Sequence, residues 1–152
     1  MDFPTPTPYL YILMRSDLAS LNPGKMVAQG AHAANQFAFG MRRLHNLFNN
    51  LDAGGATETP ENNLLLNMFE QWETSTPQGF GVTITLDVIG EELPLVVEAA
   101  KRMNFAACVT HDPSYPLQDG DVLHLLPLDT CGFVFGDKDD LHILLNKFDL
   151  LK

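Results

Sequence analysis

The sequence predicts a single α/β domain, one sheet covered by helices on both faces, in the order β-α-α-β-α-β-β-α. Three observations lead there. Residues 9–15, YLYILMR, are a nearly continuous apolar run with β-favouring aromatics, the pattern of a strand buried on both faces. Over residues 25–49 the apolar positions change to a helical period. Residues 80–88, FGVTITLDV, alternate apolar and polar side chains as a half-buried strand does.

The first strand follows a short extended lead-in, residues 1–8, with Pro4, Pro6 and Pro8 and no basic cluster. That composition suits neither a signal peptide nor a transit segment, so residues 9–152 are expected to form a cytoplasmic domain. The loop SDLASLNPG comes next, with Asn22-Pro23-Gly24 as turn and helix-start chemistry. In the first helix Val27, Ala31, Ala34, Ala38, Met41 and Phe48 recur at three- and four-residue steps, an expected apolar stripe. Its many alanines let it lie close against a sheet, and Gly40 is a candidate kink.

Residues 51–63 read as loop and residues 64–72 as a second helix, with Leu64, Leu65, Met68 and Trp72 on one side. After the alternating strand, residues 91–103 are a third helix with Leu93, Val96, Val97 and Ala100 as its stripe. Residues 105–110 are a short strand, and residues 111–127, rich in Pro and Asp, a long connection. Residues 131–135 are the fourth strand and residues 138–147 the last helix. There is no internal repeat and no sign of a second domain.

Composition bounds the function. At 152 residues and 45% hydrophobic, the chain can bury a core without staples and is not a disordered sequence. Cys108 and Cys131 each sit in an apolar run and are expected as small core residues in a reducing compartment. No Cys or His spacing matches a zinc site, and His45, His124 and His142 have no ligand spacing. No apolar stretch reaches the roughly 18–20 residues that span a bilayer. The net charge is −10, with nine Lys and Arg in all. Phosphate binding depends on those residues, so any basic site must be small and local. Arg42-Arg43 and Lys101-Arg102 are the basic pairs, hence candidate phosphate contacts. Trp72 and the phenylalanines are expected in the core, since no basic residues interleave with them. Asp137, Asp139 and Asp140 suit a helix N-terminus. His111 can pair with Asp112 but reads more plainly as a loop histidine.

Lys25, Gln29, His32 and Gln36 fall within an arc of roughly 60° at about 100° per residue. They form one polar stripe beginning at the strand-to-helix junction, where ligand sites of open α/β sheets gather. Lys25 can hold an anion or an oxyanion. Gln29 can orient a water or a carbonyl. His32 can act as a general base. An ordinary solvent-facing helix surface accounts for the same spacing.

The stretch 13–34, LMRSDLASLNPGKMVAQGAHAA, resembles the signature of the type II peptidyl-tRNA hydrolases. Arg15, Asp17-Leu18, Gly24-Lys25, Ala28-Gln29 and His32-Ala33 match that signature in order and spacing. More weakly, the later strand-helix-strand order and the finish NKFDLLK, residues 146–152, are similar too. The resemblance implies a mixed four-stranded sheet with helices on both faces, often in a homodimer. It implies hydrolysis of the ester joining a peptide to the 3′ ribose of tRNA, without a metal or other cofactor. It places Lys25, Gln29 and His32 at the active site, and Asp112 at the acid of the family's Asp-Ala-Gly-x-Thr segment. Here that segment reads His111-Asp112-Pro113-Ser114-Tyr115-Pro116. Ser114 stands in place of the Gly and Pro116 in place of the Thr. Arg15, Asp17, Ser114, Arg42 and Arg43 are the expected substrate contacts. Residues 52–57, DAGGAT, look superficially like the same segment but lie between the first two helices and read as a loop. Two other readings remain: a non-catalytic homologue that binds or scaffolds, and an unrelated α/β domain holding a small ligand at the helix start.

Overall fold

In the computed structural model, which describes residues 2–49 and 59–152, the first apolar run is strand β1 (Pro8–Arg15). Helices α1 (Pro23–Asn49) and α2 (Pro60–Glu73) follow, then β2 (Thr83–Val88) and α3 (Glu92–Arg102). The long strands β3 (Ala106–Asp119) and β4 (Val122–Asp137) come next, then α4 (Lys138–Leu145). The sheet order is β2-β1-β4-β3. β1 runs parallel to β2 and antiparallel to β4, which is antiparallel to β3, so the sheet is mixed as expected.

β1 is buried on both faces because each face meets a pair of helices. Leu10, Ile12 and Met14 join the core beneath α1 and α2. Leu13 points the other way, into the core beneath α3 and α4. Alternate residues of β4 divide likewise, Phe133 and Phe135 to the first core and Val134 to the second. Phe37 of α1 is the hub of the first core, with ring centroids 5.5 Å from Phe69, 5.4 Å from Trp72 and 4.7 Å from Phe135. Such aromatic pairs add about 1 kcal/mol each beyond the area they bury.

The helix starts follow local chemistry. The Asn22 side chain accepts from the Lys25 N–H at 3.0 Å, and Pro23 opens α1, a capped start with proline in the first turn. Thr59 accepts from the Asn62 N–H, and Pro60 opens α2. This is four residues ahead of the expected start at Leu64, because the cap outweighs the polar character of residues 60–63. Asp137 caps α4 through the N–H groups of Asp139 and Asp140, as those acids suggested.

Three expectations are corrected. The buried stripe of α1 is Gln29, Ala33, Phe37 and Met41, whereas Val27 is 75% exposed and Ala31 is exposed. Alanine carries little hydrophobic weight, so the alanine-rich helix gave an ambiguous face, and large side chains on the sheet chose it. Of the phenylalanines, Phe3, Phe39 and Phe80 are exposed rather than core. Residues 111–127 are not a connection: they extend β3 and β4 into one long hairpin. Its two-residue loop, Gly120-Asp121, has φ +58° at Gly120, matching a turn with glycine at its first central position. Its prolines are tolerated because β3 is an edge strand and because Pro113 and Pro127 fall at a break in register. The Phe48 side chain and the segment 52–57 lie outside the described residues.

Candidate functional site

The site forms where α1 crosses the middle of the β3–β4 hairpin. The register slips twice there, between Thr110 and His111 and between Asp112 and Tyr115. Bulges re-aim side chains. The first slip leaves Thr130 unpaired, so that both Thr130 and Cys131 turn toward α1. The second inserts Pro113-Ser114, which returns Tyr115 to the α1 side, where it is 1% exposed.

Gln29, in the second turn of α1, is 2% exposed and links the two strands. Its Nε2 donates to Asp112 Oδ2 at 2.6 Å, and its Oε1 accepts from Thr130 Oγ1 at 2.7 Å. Only the amide nitrogen can donate to a carboxylate, so the orientation of the amide is determined. The other Asp112 oxygen accepts from the Ser114 N–H at 2.9 Å. Burial tends to raise the Asp112 carboxyl, but hydrogen bonds from Gln29 and Ser114 and the charge of His32 prevail and hold it below its ordinary value.

Lys25 lies in the first turn of α1, where the helix dipole disfavours a cation. Its ammonium is held instead by the hairpin: Nζ donates to the Pro116 carbonyl at 2.7 Å and lies 5.0 Å from the Tyr115 ring centroid. The Tyr115 hydroxyl is 3.0 Å from Ser20 Oγ. His32 is exposed on the next turn and borders a cleft of about 450 Å³ shared with Gln36, Thr110, His111, Asp112 and Ser114. Gln36 is fastened to the cleft wall, accepting from Thr110 Oγ1 at 2.8 Å and donating to the Val109 carbonyl.

Gln29 therefore meets Asp112 directly, and His32 shares the cleft with Asp112 and Ser114. Lys25, one turn before Gln29, reaches further along β3 to Pro116 and does not border that cleft. The other candidates lie apart. Arg15 and Asp17 pair with each other at 2.9 Å, and Asp17 also accepts from the Gly90 N–H. Asp17 is lowered to about 2, chiefly by the Arg15 hydrogen bond. A side chain at position 90 would stand 2.5 Å from the Arg15 guanidinium, so the Arg15–Asp17 pair would have to shift to admit one. Arg42 pairs with Glu73 of α2 at 2.7 Å, Arg43 is exposed, and neither borders the cleft. His111 pairs with Asp129 at 2.8 Å, not with Asp112. Cys131 is buried and its thiol is pushed up by desolvation, whereas Cys108 is only partly buried. Among the described residues no group of three or more His, Cys, Asp or Glu could hold a metal, and no helix is long and apolar enough to cross a membrane.

Sequence reasoning missed Thr130 and the Pro116 carbonyl. Thr130 stands in Asp129-Thr130-Cys131, the polar entry to an apolar strand. The available signal was Gly120-Asp121, a hairpin dipeptide that pairs residues 111–119 with 122–129. No protein-family model matches the chain, and no curated protein aligns significantly with it.

Proposed function

We propose that the chain hydrolyses the ester bond of peptidyl-tRNA, releasing peptide and free tRNA. The observation that supports this reading is the Gln29–Asp112 contact behind an open cleft bordered by Asp112, His32 and Ser114, with Lys25 held by the same hairpin at Pro116. On this reading His32 takes a proton from water as the water oxygen attacks the ester carbonyl carbon, then returns it to the departing 3′ oxygen. Lys25 swings from the Pro116 carbonyl to stabilise the developing oxyanion. Asp112 stays charged at neutral pH, held by Gln29 and the Ser114 N–H, and supports the charge that His32 gains. Ser114 offers a hydroxyl that donates to Asp112 Oδ1 at 3.4 Å, where Pro116 has none. The protein would work as a cytoplasmic homodimer, with Arg42 and Arg43 meeting phosphates outside the cleft.

The test is peptide release from a peptidyl-tRNA analogue. Lys25→Ala is expected to lower kcat by about a hundredfold. Absence of turnover by folded wild-type protein removes the proposal. A second reading, a binding or scaffold protein with the same fold, is favoured by the net charge of −10 and by the hydrogen bonds that already occupy Lys25 and both Asp112 oxygens. It predicts no salt-sensitive affinity for tRNA, whereas phosphate contacts lose affinity steeply as salt rises.

A further inference from the structure

At the opposite end of the sheet, where Pro8 of β1 pairs with Asp137 of β4, lies a larger cavity of about 610 Å³. Its floor is Leu65 and Met68. Around it stand Phe3, Leu64, Met103 and Ile143, exposed by 86, 51, 42 and 74%. Exposed apolar groups gathered at one concavity mark a binding surface rather than ordinary scatter. The wall made by the lead-in is fastened in place. Gln71 donates to the Pro6 carbonyl at 2.9 Å, the Thr7 N–H donates to Asp137 at 2.6 Å, and the Thr7 carbonyl accepts from the Lys138 N–H at 2.9 Å.

Charge identifies the occupant. Glu61, Asp137, Asp139 and Asp140 border the cavity, and no Lys, Arg or His does. Asp137 serves as the α4 cap. Among the described residues Glu61, Asp139 and Asp140 have no ion-pair partner. Glu61 lies in the first turn of α2, and Asp139 and Asp140 in that of α4. Each dipole offsets only about half a charge, which leaves the rim of four carboxylates net negative. An apolar hollow with an acidic rim repels phosphate, which excludes nucleic acid and anionic membrane. A second copy of the chain, with nineteen acids and nine bases, is an equally poor match. We infer that this cavity receives a short segment of another protein in which apolar side chains are flanked by Lys or Arg, the apolar groups filling the hollow and the cations meeting Glu61, Asp139 and Asp140.

The probe is a fluorescein-labelled peptide with two leucines and a phenylalanine between lysine pairs, titrated with the full chain by anisotropy. Binding is expected to weaken about tenfold in Ile143→Ser, in Leu64→Ser and in the double variant Glu61→Gln/Asp139→Asn. Ile143 and Leu64 face solvent, so neither change opens the core. The double variant Asp119→Asn/Asp121→Asn removes equal charge at the hairpin tip and is expected to change affinity by less than about twofold. Lys25→Ala is expected to bind the probe like wild type, which keeps this inference separate from the hydrolase reading. No binding by folded wild-type protein overturns the inference. So does equal weakening by the hairpin-tip pair, or equal affinity for a probe with serine at its apolar positions. A wild-type dimer that Ile143→Ser dissociates in sedimentation assigns the cavity to a second copy and also overturns it.

Discussion

The β3–β4 hairpin has two halves made of similar residues and placed in opposite environments. In its root, Cys131, Phe133, Val134 and Phe135 are 0–6% exposed, flanked by β1 and covered by helices on both faces. In its arm, Val122, Leu123, Leu125 and Leu126 are 42–60% exposed. β1 pairs with β4 only from Cys131 to Asp137, so the arm is a two-stranded ribbon with a free edge on each side. Hydrophobicity along the strand does not decide burial; the presence of a third strand and of covering helices does. The bulged joint between the halves carries the candidate site, because the break in pleating there turns Asp112, Thr130 and Tyr115 toward α1.

The contrast can be broken most directly by truncating one large side chain in each half. Phe135→Ala is expected to cost about 3–5 kcal/mol in urea unfolding, whereas Leu125→Ala is expected to stay within about 0.5 kcal/mol. Equal costs would mean that the arm is packed against something in solution. A smaller effect sharpens the role of the joint. Gln29→Leu leaves Asp112 and Thr130 without their shared partner, at an expected cost of about 2–3 kcal/mol. Because the folded Asp112 lies below its ordinary value, its contribution is full above the unfolded pKa and is lost as pH falls through the folded one. Asp112→Asn is therefore expected to flatten the acid side of the stability profile, and an unchanged profile would contradict that role. The smallest effect belongs to the strand end beyond the joint. Asp17→Asn is expected to cost about 1 kcal/mol. The wild-type advantage disappears between pH about 4 and about 2, and a difference that survives below that window would show that charge is not its source.

Much of the architecture was readable along the chain. The apolar run of β1, the alternation of β2 and the four-residue stripe of α3 each announce their partner surface within a dozen residues. So does the cap chemistry at Asn22 and Asp137. The polar stripe of α1 was also readable as a set of residues, but its environment was not. Gln29 reads as a surface glutamine, and only Thr130 and Asp112, 101 and 83 residues away, make its burial tolerable. The arm was misread for the opposite reason: apart from the Gly120-Asp121 dipeptide, its prolines and aspartates read as loop, and two pairing strands override that local preference.

Local periodicity and capping were thus enough to establish the order of elements, the two-faced burial of β1 and the grouping of Lys25, Gln29 and His32 on one helix. The tertiary structure alone decided which face of α1 lies inward, where the hairpin register slips and which distant side chains complete the seam. Those outcomes depend on contacts between residues far apart in sequence, whose energies are realised only when the strands and helices meet.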